Sequence, residues 1–505
     1  MSKVVNYLMS KGYLVDPNLI KDLVEEDGVR IINYLDCLED KPLIIDNILI
    51  DLIKKEESNI KIHSLELPEN EINYPIKLTS SEESESNVII IKNYFIGNKK
   101  YSVQDFVQHF RLRYNKLKNL LISRIELQEA TSISRLVNKK INDHVAVIGL
   151  VLNKKITKNG NIILSLEDPT GNLNIIFSKN KNELFSSIND VLFDEVIGIT
   201  GKLGDGVVFA DGLYLPDLPL DLKLKKSDVE EYVAFTSDMQ VGSKVFYETN
   251  FLKFIDWLNG DYGSPQQKEI AKKVKYLFIP GDLVDGVGVY PGQEEDLEIT
   301  DIYKQYQKFA EYILKLRKDL KIILSPGNHD SVRIAEPQPL LDKKAIGILA
   351  ELPNIFLTTN PAIVNIGSTE SFQGFNVLIY HGFSFPYIAE NVDSIRKAGR
   401  LDNPEMIMKY LLQRRHLAPT HASNQYLPSA EEDPLFIEKI PDFFISGHIH
   451  KTKVMNYKNI TLMNCSCWIA QTEDQERRGI QPDPCKVILV NLKTREIKIL
   501  NFMDS

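Results

Sequence analysis

Cysteine is scarce and tryptophan scarcer: the 505-residue chain has four of the first and two of the second. Cys37, Cys465, Cys467 and Cys485 form no CxxC pair, a pattern that favours reduced intracellular thiols over a zinc site or a disulfide framework. No apolar run approaches the length of a membrane span, and the opening MSKVVNYLMSKGY is too polar for a secretory signal. A soluble, cytoplasmic protein with no membrane partner is expected. Positive charge is also in deficit, with 60 Lys and Arg against 69 Asp and Glu and a net charge of −9. Such a chain does not coat nucleic acid through bulk charge. Any DNA contact must be local, or supported by a partner or metal ions.

What is present is enough apolar sequence, 43%, for sizeable cores, and a length that predicts several domains. Residues 1–74 read as a small helical partner-docking domain. Asp16 and Pro17 mark one helix start there, and RIINYLDCL and PLIIDNILIDLIKK supply further helices. This region holds no cluster of ligands or nucleophiles. Residues 75–90, which include TSSEESESN, read as an acidic linker.

Residues 91–133 are expected to hold a hairpin, drawn from NVIIIKNYFIGNKKY, and an amphipathic connecting helix. Ser102 caps that helix, and Phe106, Phe110, Tyr114, Leu117 and Leu121 recur along it at helical steps. Its basic face is read as solvated, with phosphate contact as the alternative. From 134 to 228 short strands separated by turns predict a β-barrel resembling an OB-fold. Phe177 is the sole aromatic of its second and third strands. A role in docking protein therefore weighs at least as much as one in stacking on single-stranded DNA.

From 229 to 505 apolar strands alternate with helices, as in a layered α/β domain. Each strand named next runs into a residue that can bind metal. YVAFTSD ends on Asp238, with Gln240 two positions on. FIPGD ends on Asp282, and LSPGNH on Asn328 and His329. IYHG carries His381, and ISGHIH carries His448 and His450. Ligands on α/β sheets gather at the carboxyl ends of strands, and glycines beside four of these positions allow close approach. Carboxylate, amide and imidazole together suit manganese, iron or zinc. Each motif alone is weak; in this order, each after a strand, they are specific. Six of the nine histidines lie at or beyond His329.

With these motifs in place the chain resembles the calcineurin-like metallophosphoesterases. More narrowly it resembles the small subunits of the archaeal family-D DNA polymerases, also called DNA polymerase II. IPGDLVDGVGVYPGQ, SPGNHDSVRIAEPQP, RRHLAPTH and the SDxxVGS frame carry the narrower likeness. The order of parts, helical N-terminus, OB-like barrel and four-layer α/β phosphoesterase, follows that family too.

The resemblance implies a two-metal 3′→5′ exonuclease that proofreads on single-stranded and primer-template DNA for a separate large catalytic subunit. It implies that Asp282 bridges two divalent cations, manganese first and magnesium as the alternative. Asp238, residue 240 and His450 would hold one cation; Asn328, His381 and His448 would hold the other. His329 would face the scissile phosphate as the second catalytic residue beside Asp282. Arg333 is the candidate phosphate contact, with a structural ion pair as its equal alternative. Asp285 and Asp330 read as orienting or capping groups. His416 and His421 read as structural, and Cys465 and Cys467 as core packing beside Trp468.

The family usually carries histidine where this chain has Gln240. The glutamine could bind metal directly, bind through water, or leave the first site weak. The runner-up function is therefore a catalytically weak or inactive structural B-subunit. A metallophosphatase acting on a nucleotide or phosphoprotein is a third reading, for which the barrel and N-terminal domain have no evident use.

Overall fold

A computed structural model describes residues 14–15, 31, 44–45, 88–97, 99–477 and 480–503. The chain divides into two units, Met1–Ser84 and Glu85–Ser505. In the first, Leu14–Val15 pairs in parallel with Ile44–Ile45. The second segment was expected to be helical; its two β-branched residues follow Pro42 and take a strand instead. The rest of the expected helical domain and of the acidic linker lies outside the described residues.

The second unit opens with β1 (Val88–Lys92) and α1 (Val103–Ile122). The hairpin expected around β1 does not form, and the linker does not extend to residue 90. β1 pairs antiparallel with a strand far along the chain, Val88 opposite Ile366 and Lys92 opposite Ile363. It is an apolar run that finds its partner at a sheet edge rather than in its neighbour. The cap of α1 is as expected: the Asp105 carboxylate accepts from both the N–H and the Oγ–H of Ser102 at 2.8 Å. The burial of α1 goes further than its apolar stripe. His109 and Arg113 are buried with Tyr114, Leu117 and Leu121, while Phe106 and Phe110 are only partly covered.

Next come β2 (His144–Ile156), β3 (Ile162–Asp168), β4 (Gly171–Phe177), α2 (Asn182–Asn189), β5 (Val196–Leu203) and β6 (Val207–Tyr214). These strands close a barrel in the order β2-β3-β4-β6-β5, with β4 and β6 parallel and the other pairs antiparallel. Alternation fills its interior: Leu164, Leu166, Ile175, Phe177, Ile197, Ile199 and Val208 all point inward. Phe177 is fully buried there and offers no surface for stacking.

The remaining chain builds two six-stranded sheets. The strands used below are β7 (Tyr232–Phe235), β8 (Val274–Pro280), β9 (Lys321–Ser325), β10 (Ile355–Leu357), β11 (Ala362–Ile366), β12 (Phe375–Ile379) and β13 (Phe443–Ser446). The first sheet runs β10-β9-β8-β7 in parallel and continues antiparallel through Lys486–Asn491 and Ile497–Asn501. The second sheet carries β13-β12-β11-β1, with β12 and β13 parallel.

The sheets pack face to face through Val233, Phe235 and Phe278 on one side and Val377, Phe443 and Ile445 on the other. α3 (Glu248–Asn259) and Ile302–Ile313 cover the outer face of the first sheet, and Pro404–Arg414 that of the second. With both faces covered, the central strands read as near-continuous apolar runs. The result is helix, sheet, sheet, helix, with the barrel alongside.

Candidate metal centre

Every candidate ligand follows a strand. Asp238 and Gln240 follow β7, Asp282 follows β8, and Asn328 and His329 follow β9, all in the first sheet. His381 follows β12, and His448 and His450 follow β13, in the second sheet. Because the parallel strands of each sheet end together, their carboxyl-terminal turns meet.

These turns are strained. Asp238, Gln240, Asp282, His448 and His450 have φ between 47° and 67°, a region that costs a non-glycine residue about 1–3 kcal/mol. Backbone hydrogen bonds hold them there, from Asp238 N–H to Gly281 O, Gln240 N–H to Asp282 O, and Trp468 N–H to Asp238 O. Close approach does the rest. A Cβ on Gly327 would lie 2.2 Å from Asp282 Oδ1, and one on Gly447 2.4 Å from Asp238 Oδ2.

Asp282 is the hub. Its Oδ1 accepts the backbone N–H of His329 at 2.8 Å, and its Oδ2 lies 3.2 Å from His381 Nε2. Ligand atoms of Asp282, His381 and His448 fall within 4.8 Å of one another. Asn328 Oδ1 is 3.1 Å from His381 Nε2. His381 Nδ1–H donates to Pro280 O at 2.8 Å, which turns Nε2 inward, and its N–H donates to Asn360 Oδ1 at 2.9 Å. On the other side His450 Nε2 lies 3.2 Å from Asp238 Oδ1, and the N–H of His448 donates to the same carboxylate. Gln240 Oε1 is buried with no hydrogen-bond partner. That orphaned oxygen, together with carboxylates and imidazoles at close range, fits divalent cations.

His329 sits beside the cluster. Its Nδ1 is 2.7 Å from Asp285 O and its Nε2 is 4.0 Å from Asp282 Oδ2. Burial alone would depress the imidazole, but the Asp282 and Asp285 carboxylates outweigh it and raise its pKa to about 9. Asp282 likewise raises buried His381 to about 9. Asp282 is held below the ordinary carboxylate range against its burial by His381 and His329. His448 is lowered to about 3 by burial and by His381. Asp330 is raised to about 7 by burial and by Asp282.

Asp330 accepts from Gly327 N–H at 2.8 Å and from Tyr306 O–H at 2.9 Å, so it orients the ligand turn. Arg333 spends its Nε and Nη2 on the carbonyls of Ala335 and Pro337, within its own loop. His416 is buried against Asp433 at 2.9 Å, and His421 meets the Tyr426 hydroxyl. Cys465 and Cys467 are buried beside Trp468, which packs on Phe251 and Phe254. Two supporting groups carry no sequence signal. Asn360 clamps His381 and also donates to Gln338 Oε1, and Gln475 Nε2 lies 2.8 Å from His450 Nδ1.

Residues 232–452 match the calcineurin-like phosphoesterase family. The DNA polymerase II small subunit of Methanothermobacter thermautotrophicus is 33% identical over 99% of this chain and 100% of its own length. That of Archaeoglobus fulgidus is 34% identical over 96% of this chain and 94% of its own. The chain belongs to the DNA polymerase II small-subunit family. Membership in that family implies a large-subunit partner, and the phosphoesterase domain implies use of divalent metal. A solved archaeal phosphodiesterase aligns over 53% of this chain and 98% of its own at 14% identity, with a TM-score of 0.26. Among the described residues no helix is long and apolar enough to cross a membrane.

Proposed function

We propose that this member of the DNA polymerase II small-subunit family is a two-metal 3′→5′ exonuclease that trims single-stranded and primer-template ends, while the large subunit synthesises DNA. The observation that carries the reading is Asp282, whose two oxygens face His329 and His381 where the turns of both sheets meet. Asp238, Gln240, Asp282 and His450 would hold one cation; Asp282, Asn328, His381 and His448 the other. Bound cations, manganese first and magnesium second, supply charge for the phosphate and acidity for the attacking water.

The chain's own groups do the rest. Asp282 fixes the His329 backbone, and Asp285 holds its Nδ1, leaving Nε2 directed at the cluster. The imidazole, once protonated in the substrate complex, would deliver a proton from Nε2 to the departing O3′ of the penultimate nucleotide as the terminal P–O bond breaks. The barrel is read as an OB-fold. That reading is supported by its strand order, the parallel pairing of β4 with β6, and a helix between β4 and β5.

The test is the purified chain with Mn²⁺ and end-labelled single-stranded DNA. Shortening from the 3′ end, abolished in Asp282→Ala, is expected. Intact DNA with wild type, both alone and beside the large subunit, would overturn the exonuclease. It would favour the second reading, a weak or inactive structural subunit, for which the amide at Gln240 is the motivating feature.

A further inference from the structure

The two halves of the centre are built from different donors. On one side Asp238, Gln240 and Asp282 offer three oxygens and His450 one nitrogen. On the other, Asp282 and Asn328 offer two oxygens, and His381 and His448 two nitrogens. An imidazole at position 240 would make the halves alike; the amide makes them differ.

The placement of that amide is specific. Gln240 is 2% exposed, its Nε2 lies 3.4 Å from His329 Nε2, and its Oε1 has no partner. A buried carbonyl oxygen left unpaired keeps the full cost of its lost hydration. The backbone at Gln240 is itself strained, with φ at 47°. A cation held between Asp238 and His450 would satisfy that oxygen.

Donor chemistry then decides which cation. Each imidazole nitrogen raises affinity for zinc and cobalt far more than for magnesium or manganese, whereas a neutral carbonyl oxygen does not discriminate in their favour. We propose that Gln240 makes the two metal positions chemically unequal. The Asp238–Gln240 side selects a hard cation such as Mn²⁺ or Mg²⁺, and the His381–His448 side prefers an imidazole-seeking ion such as Zn²⁺ or Co²⁺. This rests on the ligand assignment proposed above. It makes the centre one that accommodates two different metals at once, and Gln240 the residue that sets the difference.

The experiment is calorimetric titration of the full chain with Zn²⁺, and with Zn²⁺ after Mn²⁺, with retained Mn²⁺ counted by electron paramagnetic resonance. Wild type should bind one Zn²⁺ tightly and a second on the order of tenfold or more weakly. Mn²⁺ loaded first should stay at one equivalent beside one Zn²⁺. Gln240→His should bind two Zn²⁺ with closely similar affinity and lose the retained Mn²⁺. His381→Ala should lose the tight Zn²⁺ and keep the Mn²⁺. Two equal Zn²⁺ positions in wild type would overturn the proposal without any variant being needed. So would an unchanged zinc profile in a Gln240→His protein whose thermal unfolding matches wild type. A failure of the ligand assignment reads differently: wild type binds no cation, or Asp282→Ala binds as many as wild type.

Discussion

The backbone N–H of His329 donates to Oδ1 of Asp282 at 2.8 Å, while Oδ2 of the same carboxylate lies 3.2 Å from His381. One side chain thus ties the turn after β9 to the turn after β12, one from each sheet. Replacing it should do more than remove a ligand. Asp282→Ala is expected to lower 3′-end trimming by about a thousandfold or more and to bind fewer cations than wild type. Asp282→Asn keeps the shape but not the charge, and should retain the fold with the same loss of activity. Near-wild-type trimming by either variant would remove Asp282 from the chemistry.

Gly327 should be intolerant of even a methyl group. Its Cβ would sit 2.2 Å from Asp282 Oδ1 and 2.8 Å from His381 Cε1. Gly327→Ala is expected to cost about 1–3 kcal/mol in denaturant unfolding and to weaken Mn²⁺ binding by at least about tenfold. Gly97→Ala, with open space around it and no left-handed backbone, should leave Mn²⁺ binding unchanged. Equal metal affinity in all three proteins would contradict the close approach.

His416 should make the protein acid-sensitive in a defined window. Burial and the Arg113 charge lower its pKa to about 4, against the pull of Asp433. An unfolded histidine takes up its proton near about 6.5. Between these values the unfolded chain binds more protons, so this stability is present above about pH 6.5 and is lost as pH falls towards 4. The full effect is about 3 kcal/mol. Burial alone would raise Asp433, but His416 and Arg113 hold it well below the usual carboxylate range, so its own contribution is lost only at lower pH. Urea unfolding across this range should show the fall, and His416→Gln should flatten it. Parallel slopes in the two proteins would rule His416 out as the source.

β1 offers a test of sheet pairing. Val88 is 6% exposed and packs between the sheets, whereas its neighbour Ile89 is 52% exposed. Val88→Asp buries an unpaired charge and should cost at least about 3 kcal/mol. Ile89→Asp should stay within about 0.5 kcal/mol. Similar effects at both positions would mean that β1 is not seated on that edge.

The grouping of the candidate ligands was legible because metal-binding chemistry restricts residue type. Only a few side chains bind cations, and Asp238, Asp282, Asn328, His381, His448 and His450 each stand where an apolar run stops. What was not legible depends on partners far along the chain. β1 shows strand character, but nothing local says that it pairs with β11 rather than with its own neighbour. Arg113 and His109 belong to a helix whose basic residues read as solvated. They are buried because Asp433, 320 residues from Arg113, accepts from the guanidinium at 3.0 Å. Asn360 and Gln475 support the candidate ligands His381 and His450 through single hydrogen bonds, for which no motif exists.

The place of β1 also bears on how the chain is made. Val88 leaves the ribosome about 280 residues ahead of Ile366, the residue it pairs with. The barrel, whose strands are near neighbours in sequence, can close during that interval, since short loops are entropically cheap to form. The VIII of β1 has to wait as an unpaired apolar strand until the second sheet is synthesised. Among the described strands it has the longest wait for its sheet partner, and an unpaired apolar strand is the kind of segment that mispairs, so aggregation is expected before residue 366 emerges. Slowing translation between the barrel and β11 should therefore lower soluble yield more than the same delay placed after β13.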